Sequence, residues 1–475
     1  MESPSVYIPM DRRQALAQGK SLPERVQGTA LFADISGFTP LTETLARELG
    51  PQRGSEEITR HLNLVYDAVI AEVHGYGGSV IGFSGDAITC WFDQDNGLRA
   101  VASGLAMQEA MARFAQVTAP SGKTMPLAIK TSIACGPARR FLVGNPEQGL
   151  VEVLAGQTLN RLAQVDHHTQ GGEVVLDTVT AIALGDQVRV AYWRNDQERA
   201  CAYAVVDGLK RPAPASAWPP LAEHATHDAI ARPWLLPPVY ERLRSGLGEF
   251  LAELRPAVSL FMSFTGIDYD HDPDAERKLD RFIREVQTIL NQYEGTLIQL
   301  TIGDKGSYLY AAFGAPVAHE DDALRAASTA LALRDLARRL DFIDQTGVGI
   351  AQGRMRTGAY GGSTMRTYGV LGNATNLAAR LMQAAAPDQI LVNDAVFQAI
   401  GDALDWQTPP PIQVKGRSEP VVIHSLLGER QRRALRSLFD ALDETPLVGR
   451  EEELALLIQE MEQAAGGHGQ IVGLT

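Results

Sequence analysis

Hydrophobic and polar positions early in the chain form a strand-like pattern that ends at an acidic residue. Apolar residues run from Leu31 into Asp34, and residues 36–39 then lead into a helix-like pattern that begins near Leu41. This pattern predicts a strand that delivers a carboxylate, followed by a helix N-terminus with free backbone N–H groups. Such a carboxylate can hold a divalent cation and such N–H groups can hold phosphate oxygens, although an aspartate before a turn is more often a capping or turn residue.

A second pattern consists of two short apolar runs on either side of Ser84-Gly85-Asp86. Two such runs separated by a tight turn predict a β-hairpin, with Asp86 at its turn. An aspartate in a hairpin turn commonly has no role beyond the turn. The two carboxylates together, Asp34 and Asp86, are far more specific for a metal site than either one alone.

The second half of the chain is a weak copy of the first. Residues 31–37 correspond to residues 260–266, and the hairpin that carries Asp86 corresponds to one that carries Ser307. Late in each copy, residues 156–160 correspond to residues 372–376. Because strands alternate with helices in both copies, we predict an α/β fold, an α/β sandwich in which helices pack on a sheet.

Composition shifts and proline-rich stretches divide the chain into five predicted segments. These are an N-terminal segment (1–27), a first α/β domain (28–209), a proline-rich linker or ordered arm (210–255), a second α/β domain (256–427) and a helical segment (428–475). The last segment looks like the opening of an AAA-type ATPase module, which would make the chain part of a larger regulatory protein. A plain helical tail is the alternative.

Composition and charge narrow the class of protein. The chain has 475 residues, of which 45% are hydrophobic and 21% charged, as in ordinary soluble proteins. Its net charge of −14 argues against general binding to nucleic acid or anionic membranes. Three cysteines form no disulfide framework, no apolar run approaches the ~20 residues that span a bilayer, and no signal peptide begins the chain. We therefore expect a cytoplasmic protein.

The segment around Asp34 and the hairpin at Asp86 together resemble the catalytic domain of class III nucleotidyl cyclases. The tandem arrangement over residues 28–427 resembles that of the soluble adenylyl cyclases. The resemblance implies two pseudo-symmetric cyclase domains paired head to tail, with nucleotide sites at their interface. It also implies two Mg²⁺ or Mn²⁺ ions bound by Asp34 and Asp86, with the Ile35 carbonyl assisting.

By this resemblance, the chain is an adenylate cyclase that converts ATP to 3′,5′-cyclic AMP and pyrophosphate. The metal ions would activate the ribose 3′-hydroxyl for in-line attack on the α-phosphorus. Backbone N–H groups of Ser36-Gly37-Phe38-Thr39 would cradle the terminal phosphates. Asn376 would orient the ribose, and Arg380 would stabilise charge on the transferred phosphoryl group.

The two halves are predicted to divide the labour of a single site. Ser263 and Ser307 stand where the first half has its aspartates, and a hydroxyl is a poor ligand for a hard cation. Conversely, Asn376 and Arg380 lie four residues apart on one helical face, whereas the first half has Gln164 at the position of the arginine. The complementary losses leave one competent site and one degenerate site.

The residues that choose the base are incompletely matched. Lys305 matches the family's adenine-contacting lysine, with a solvated hairpin lysine as the alternative. Its usual partner, a threonine or aspartate, is replaced by Gly369, which has no side chain to accept the adenine amino proton. ATP is therefore expected to be preferred over GTP by a reduced margin.

The degenerate site of the family can bind bicarbonate through a lysine and an arginine. The lysine position is Gly82 here, and Arg161 could supply the arginine. With one cationic partner instead of two, we predict little or no stimulation by bicarbonate.

Two other functions are weighed against adenylate cyclase. A catalytically weak or inactive nucleotide-sensing module of a larger ATPase-containing signalling protein is favoured by Gly369, but disfavoured by the four retained residues Asp34, Asp86, Asn376 and Arg380. A diguanylate cyclase is a distant third, because the chain has no Gly-Gly-Asp/Glu-Glu-Phe stretch.

Overall fold

The computed structural model describes residues 3–197, 200–214, 216–221, 228–246, 253–303, 306–414, 420–430, 451–465 and 473. Lys305 therefore lies outside the described residues, as do residues 431–450, 466–472 and 474–475 of the segment that suggested an ATPase module. The chain forms two compact units. One comprises residues 1–401 and 406–428 and contains both repeats. The other comprises residues 402–405 and 429–475 and contains the helix α13 (Glu451–Ala465).

The first repeat is built around one mixed sheet and a small ribbon. Its strands are β1 (Arg25–Ser36), β2 (Ser79–Ser84), β3 (Ala87–Asp93), β4 (Gln116–Thr118), β5 (Thr124–Pro126), β6 (Ala128–Val143), β7 (Val151–Ala155), β8 (Val174–Asp177), β9 (Val188–Asp196) and β10 (Cys201–Leu209). The sheet order is β2-β3-β1-β6-β8-β10-β9, with β7 paired to β6 and with β4 and β5 as the separate ribbon.

The second repeat has a sheet of the same topology. Its strands are β11 (Glu253–Phe264), β12 (Thr296–Gly303), β13 (Gly306–Phe313), β14 (Thr346–Gly361), β15 (Arg366–Leu371), β16 (Gln389–Asn393), β17 (Leu404–Gln407) and β18 (Ile423–Glu429). The order β12-β13-β11-β14-β16-β18-β17, with β15 paired to β14, reproduces the first sheet strand for strand. The internal repeat read from the sequence is thus a structural repeat.

Helices cover the sheets and connect their strands. They are α1 (Met10–Ala17), α2 (Phe38–Leu49), α3 (Pro51–Gly75), α4 (Leu98–Met111), α5 (Gln157–His167), α6 (Thr178–Leu184), α7 (Asp228–Ala231), α8 (Pro237–Arg244), α9 (Ala275–Gln292), α10 (Asp322–Arg339), α11 (Asn373–Ala384) and α12 (Asp394–Ile400). Helix α9 shows why they pack, since its buried Leu279, Phe282, Ile283, Val286 and Leu290 recur at helical spacing on one face. No helix in the described part of the chain is long and apolar enough to cross a membrane.

The two repeats pack closely within their common unit. The rings of Tyr66 and Phe83 from the first repeat lie 6.1 and 5.6 Å from the ring of Tyr360 in the second. On the other side, the Gln299 amide donates a 2.7 Å hydrogen bond to Ser84 Oγ. Paired sheet-and-helix domains are therefore confirmed as the fold. The segment between the repeats is partly an ordered arm, because α8 buries Val239, Tyr240 and Leu243.

Candidate active site

Sheet pairing brings the two predicted metal carboxylates together. Strand β1 runs antiparallel to β3, with Asp34 opposite Ala87, the residue after Asp86. The backbone N–H of Ile35 donates a 3.2 Å hydrogen bond to the Asp86 carbonyl. Asp86 lies in the two-residue turn between β2 and β3, where Gly85 adopts φ +68°. The hairpin expected from the sequence is confirmed, and it places Asp86 beside the end of β1.

The electrostatics of this pair suit a cation. Burial, and secondly the neighbouring Asp34, raise the pKa of Asp86 to about 7. Burial also raises the pKa of Asp34, with Lys130 opposing the rise. In both cases the main cause is burial, which removes water from the carboxylate and disfavours its charged form. Within the described residues, no cluster of three or more His, Cys, Asp or Glu side chains could hold a metal ion. An ion bound by this pair would complete its shell with backbone, water or substrate oxygens, as Mg²⁺ commonly does.

The start of α2 supplies the backbone N–H groups expected beside the carboxylates. The helix begins at Phe38, three residues before the expected Leu41, because Gly37 ends the strand in a left-handed conformation with φ +93°. A Cβ at Gly37 would lie 2.2 Å from the Pro126 carbonyl oxygen, so only glycine fits. The first N–H groups of a helix have no partner within it and so remain available to a ligand. The side chain of Thr39 lies outside what the structure describes.

A cavity of about 290 Å³ joins the two repeats at this point. The first repeat contributes Asp86 and Phe38, and the second contributes Asn376, with Arg354 and Arg356 of β14. The structure therefore brings the predicted acid of one repeat and the predicted asparagine of the other to one cavity.

Arg380 lies one turn beyond Asn376 on α11, partly buried and outside the lining of this cavity. Among the described residues, its guanidinium has no hydrogen-bond or ion-pair partner. The contacts of Ile35 and Ser36 with a ligand, like that of Arg380, stay predictions.

Lys130 is a residue of the site that no sequence motif singled out. This residue stands opposite Asp34 in the register of β1 and β6, and its Nζ lies 3.1 Å from Asp34 Oδ2. The same Nζ lies 2.9 Å from Oδ1 of Asp166 on α5. Burial opposes the charged ammonium, but the two carboxylates outweigh it and raise the pKa of Lys130. Lys130 is the one charged residue of β6 before Arg139, and this is the local signal that could have drawn attention to it.

Arg356 is a second residue that sequence reasoning missed. It is 6% exposed, and its Nη2 donates a 2.8 Å hydrogen bond to the Ala359 carbonyl. Its Nε donates to Thr59 Oγ1, and its guanidinium carbon lies 5.8 Å from the centre of the Tyr360 ring. Its Nη1 has no hydrogen-bond partner among the described residues. Burial lowers its pKa to about 10, so a desolvated cation with a spare donor lines the cavity.

Gly369 is buried and does not line the cavity. It pairs with Gly358 of β14, and a Cβ at position 369 would lie 2.6 Å from Cε1 of Tyr360. The threonine or aspartate of the family would collide with this ring. The missing acceptor is therefore accompanied by a tyrosine that fills its space.

In the degenerate site, the polar side chains form hydrogen bonds with neighbouring protein groups. Ser307 Oγ lies 2.7 Å from the Tyr269 hydroxyl, and Ser263 donates a 3.3 Å hydrogen bond to the Gly347 carbonyl. Arg139 donates to the carbonyls of Tyr269 and Asp272 at 3.0 and 3.1 Å. The two positions equivalent to the metal carboxylates thus hold neutral hydroxyl groups, and each hydroxyl has a hydrogen-bond partner elsewhere in the second repeat.

A second cavity of about 210 Å³ adjoins this degenerate site. Gly82, Asp166 and Gln299 are among its lining residues, but Arg161 is not. Instead, Arg161 forms an ion pair with Asp177 and donates a 2.6 Å hydrogen bond to the Cys135 carbonyl. The Arg161 guanidinium is thus engaged by groups outside this cavity, and its suggested role in binding an anion stays a prediction.

Comparisons with known proteins agree with this architecture. Residues 259–428 match the family model described as the adenylate and guanylate cyclase catalytic domain. Human adenylate cyclase type 10 is 21% identical over 97% of this chain and 30% of its own length. The chain thus spans about 30% of the length of that relative.

One solved structure shows the same fold over most of the chain. A class III adenylyl cyclase-like ATP-binding protein from Pseudomonas aeruginosa is 15% identical, with a TM-score of 0.55, over 83% of this chain and 94% of that one. The adenylyl cyclase CyaB from P. aeruginosa is 24% identical over 38% of this chain and 97% of its own, with a TM-score of 0.34. At these identities, the first likeness establishes the fold alone.

Proposed function

We propose that this chain, which contains a class III nucleotidyl cyclase domain and is homologous to soluble adenylyl cyclase over most of its length, converts ATP to 3′,5′-cyclic AMP and pyrophosphate. The observation that carries the proposal is the composition of one interface cavity. Asp86, next to Asp34, faces it from one repeat and Asn376 faces it from the other, while serines occupy the equivalent acidic positions. The reaction would take place at this single site.

The buried carboxylate pair, with its raised pKa values, fits a divalent cation. Asp34, Asp86 and the Ile35 carbonyl would hold two Mg²⁺ or Mn²⁺ ions, which supply charge neutralisation for the triphosphate and acidify the ribose 3′-hydroxyl. These ions have no other predicted protein ligands.

The chain's own residues would bind and orient the nucleotide. The N-terminus of α2, at Gly37 and Phe38, offers N–H groups to the terminal phosphates. The Lys130 ammonium lies beside Asp34, close enough to contact the phosphates as well. Asn376 would hold the ribose so that its 3′-oxygen attacks the α-phosphorus in line. The bond from that phosphorus to the bridging oxygen of the β-phosphate then breaks, and Arg380 would stabilise the developing charge.

Few side chains would recognise the purine base of the nucleotide. Lys305 would donate to a ring nitrogen, whereas the neighbourhood of Gly369 provides no side-chain acceptor for the adenine amino group. We expect ATP to be preferred over GTP by a small margin, because a site that only tolerates a group discriminates weakly. We also place the protein in the cytoplasm and expect an ATPase module downstream.

A non-catalytic nucleotide sensor is the second candidate. The ion pair between Lys130 and Asp34 favours it, because a lysine already partly neutralises one metal carboxylate. The fold likeness to a protein described as cyclase-like and ATP-binding points the same way.

Identifying the product separates the two candidates. Purified chain would be incubated with ATP or GTP plus Mn²⁺, and the products identified by mass spectrometry. Cyclic AMP that depends on Asp34 and Asp86 supports the cyclase. Saturable ATP binding without any cyclic product supports the sensor.

A further inference from the structure

We propose that Asp166 is a positioning residue of the catalytic site, which anchors the Lys130 ammonium and receives it when a divalent cation binds Asp34. The inference rests on the proposed function of the Asp34–Asp86 pair and adds to it a residue from a different element. Asp166 touches neither the cavity with Asn376 nor either metal carboxylate directly, so it would act only through Lys130.

The geometry shows one ammonium shared by two carboxylates. Lys130 Nζ lies 3.1 Å from Asp34 Oδ2 and 2.9 Å from Asp166 Oδ1. Asp166 is held in turn by Ser132, whose Oγ donates to Oδ1 at 3.4 Å and lies 2.9 Å from Thr169 Oγ1. The anchor is therefore part of a fixed network on α5 and β6, rather than a loose surface pair.

The charges explain why an anchor is needed. A divalent cation at Asp34 and an ammonium at 3.1 Å compete for the same oxygens, so cation binding must displace Lys130. With Asp166 present, the ammonium keeps a partner 2.9 Å away and stays within the site. Without that carboxylate, Asp34 would be the one residue in the described part of the chain that forms a direct ion pair with Lys130, and the ammonium would compete more strongly with the metal.

The internal repeat provides a comparison within the same chain. Sheet register places Gly347 opposite Ser263, as Lys130 stands opposite Asp34. Counting six residues from the equivalent asparagines places Met382 at the position of Asp166. A Cβ at Gly347 would lie 3.2 Å from Ser263 Oγ and 3.4 Å from the Met382 carbonyl, so these three positions also cluster.

All three charges are thus present in the repeat with the metal carboxylates and absent from the other. The fold itself does not require them, because the second repeat forms the same sheet without them. This pattern links Lys130 and Asp166 to the chemistry of the site rather than to folding.

The test is a double-mutant cycle on Mn²⁺ affinity, measured without nucleotide by electron paramagnetic resonance of free Mn²⁺. Asp166→Asn should weaken Mn²⁺ binding about tenfold in the wild-type background, within the range of coupling between contacting residues. In a Lys130→Met background, the same substitution should change the affinity by roughly twofold or less. Asp166→Glu, which keeps the anchor's charge, should restore most of the affinity.

Asp272→Asn is the matched control, because it breaks a comparable 2.7 Å pair with Lys278 and should leave Mn²⁺ affinity unchanged. Thermal unfolding of each variant confirms that it is folded. Equal losses from Asp166→Asn in both backgrounds, or no loss in either, would overturn the positioning role.

Cyclic nucleotide formation by the same preparations keeps the two proposals distinguishable. Coupling between Asp166 and Lys130 in a chain that forms no cyclic product would support the positioning role and contradict the proposed activity. Cyclase activity without coupling between Asp166 and Lys130 would support the proposed activity and contradict the positioning role.

Discussion

Tyr360 occupies the space that a side chain at position 369 would need. Its Cε1 lies 2.6 Å from the point where a Cβ on Gly369 would be placed. Tyr360 is itself 3% exposed and packs between Tyr66 and Phe83, so it has little room to move. The same residue, Tyr360, therefore excludes a side-chain acceptor at position 369 and packs at the interface between the repeats.

Gly369→Thr should consequently destabilise the protein instead of simply restoring an acceptor. Overpacking of this kind costs typically ~1–3 kcal/mol, which urea unfolding would measure. We expect the ATP/GTP ratio of kcat/KM to rise only when Gly369→Thr is combined with Tyr360→Leu. A fully stable Gly369→Thr variant would show that Tyr360 yields easily.

Asp86→Asn should stabilise the metal-free protein at neutral and higher pH. The folded pKa of Asp86, about 7, is above its ordinary value of 3.8. Its contribution to stability is therefore fully present below about pH 4 and is lost as pH rises through 7. The variant should lack this loss, so its melting temperature at pH 8 should exceed that of the wild type.

Mn²⁺ provides the control for that experiment. It should raise the melting temperature of the wild type at pH 8, since a ligand that binds only the folded state stabilises it. It should raise that of Asp86→Asn much less. Equal stabilisation of both proteins would contradict the assignment of Asp86 as a metal ligand.

His74 should make the fold acid-sensitive. Burial, and secondly Arg13, lower its pKa to about 4, and its Nδ1 lies 3.2 Å from Thr364 Oγ1 across the interface. Because the folded pKa is below the ordinary value of 6.5, the unfolded state takes up the proton first. The stability contributed by neutral His74 is therefore present above pH 6.5 and lost as pH falls to about 4.

His74→Gln should flatten this acid-side loss in urea unfolding between pH 6.5 and 4. The exposed His271→Gln serves as the control and should keep the wild-type slope. Identical slopes for wild type and His74→Gln would refute the assignment.

Arg356→Met should separate stability from function. A buried cation without a carboxylate partner is costly, so a hydrophobic replacement of similar length should leave unfolding stability unchanged or higher. Nucleotide KM should rise several-fold, because a positive charge in the lining of the cavity is lost. A strong loss of stability with unchanged KM would assign Arg356 to the packing of Tyr360 alone.

Local sequence patterns were sufficient for the elements that carry the acids. The strand ending at Asp34, the hairpin at Asp86 and the repeat each follow from periodicity and turn residues close in sequence. Hydrophobic periodicity predicts the start of α2 three residues too late, because it does not detect the left-handed φ of Gly37.

The remaining features depend on residues far apart in sequence. Lys130 reaches Asp34 through the register of β1 and β6, and Tyr360 reaches Gly369 through that of β14 and β15. The pairing of Arg161 with Asp177 likewise needs the helix and strand to be packed. Neither composition nor spacing along one segment specifies such register.

The most direct test of a single site shared by both repeats compares equivalent positions. Cyclic AMP formation with ATP and Mn²⁺ would be measured for Asp34→Ala and Ser263→Ala, after thermal unfolding shows that both are folded. Asp34→Ala should lose nearly all activity, and Ser263→Ala should keep most of it. Comparable losses from the two substitutions would contradict a single site shared by both repeats.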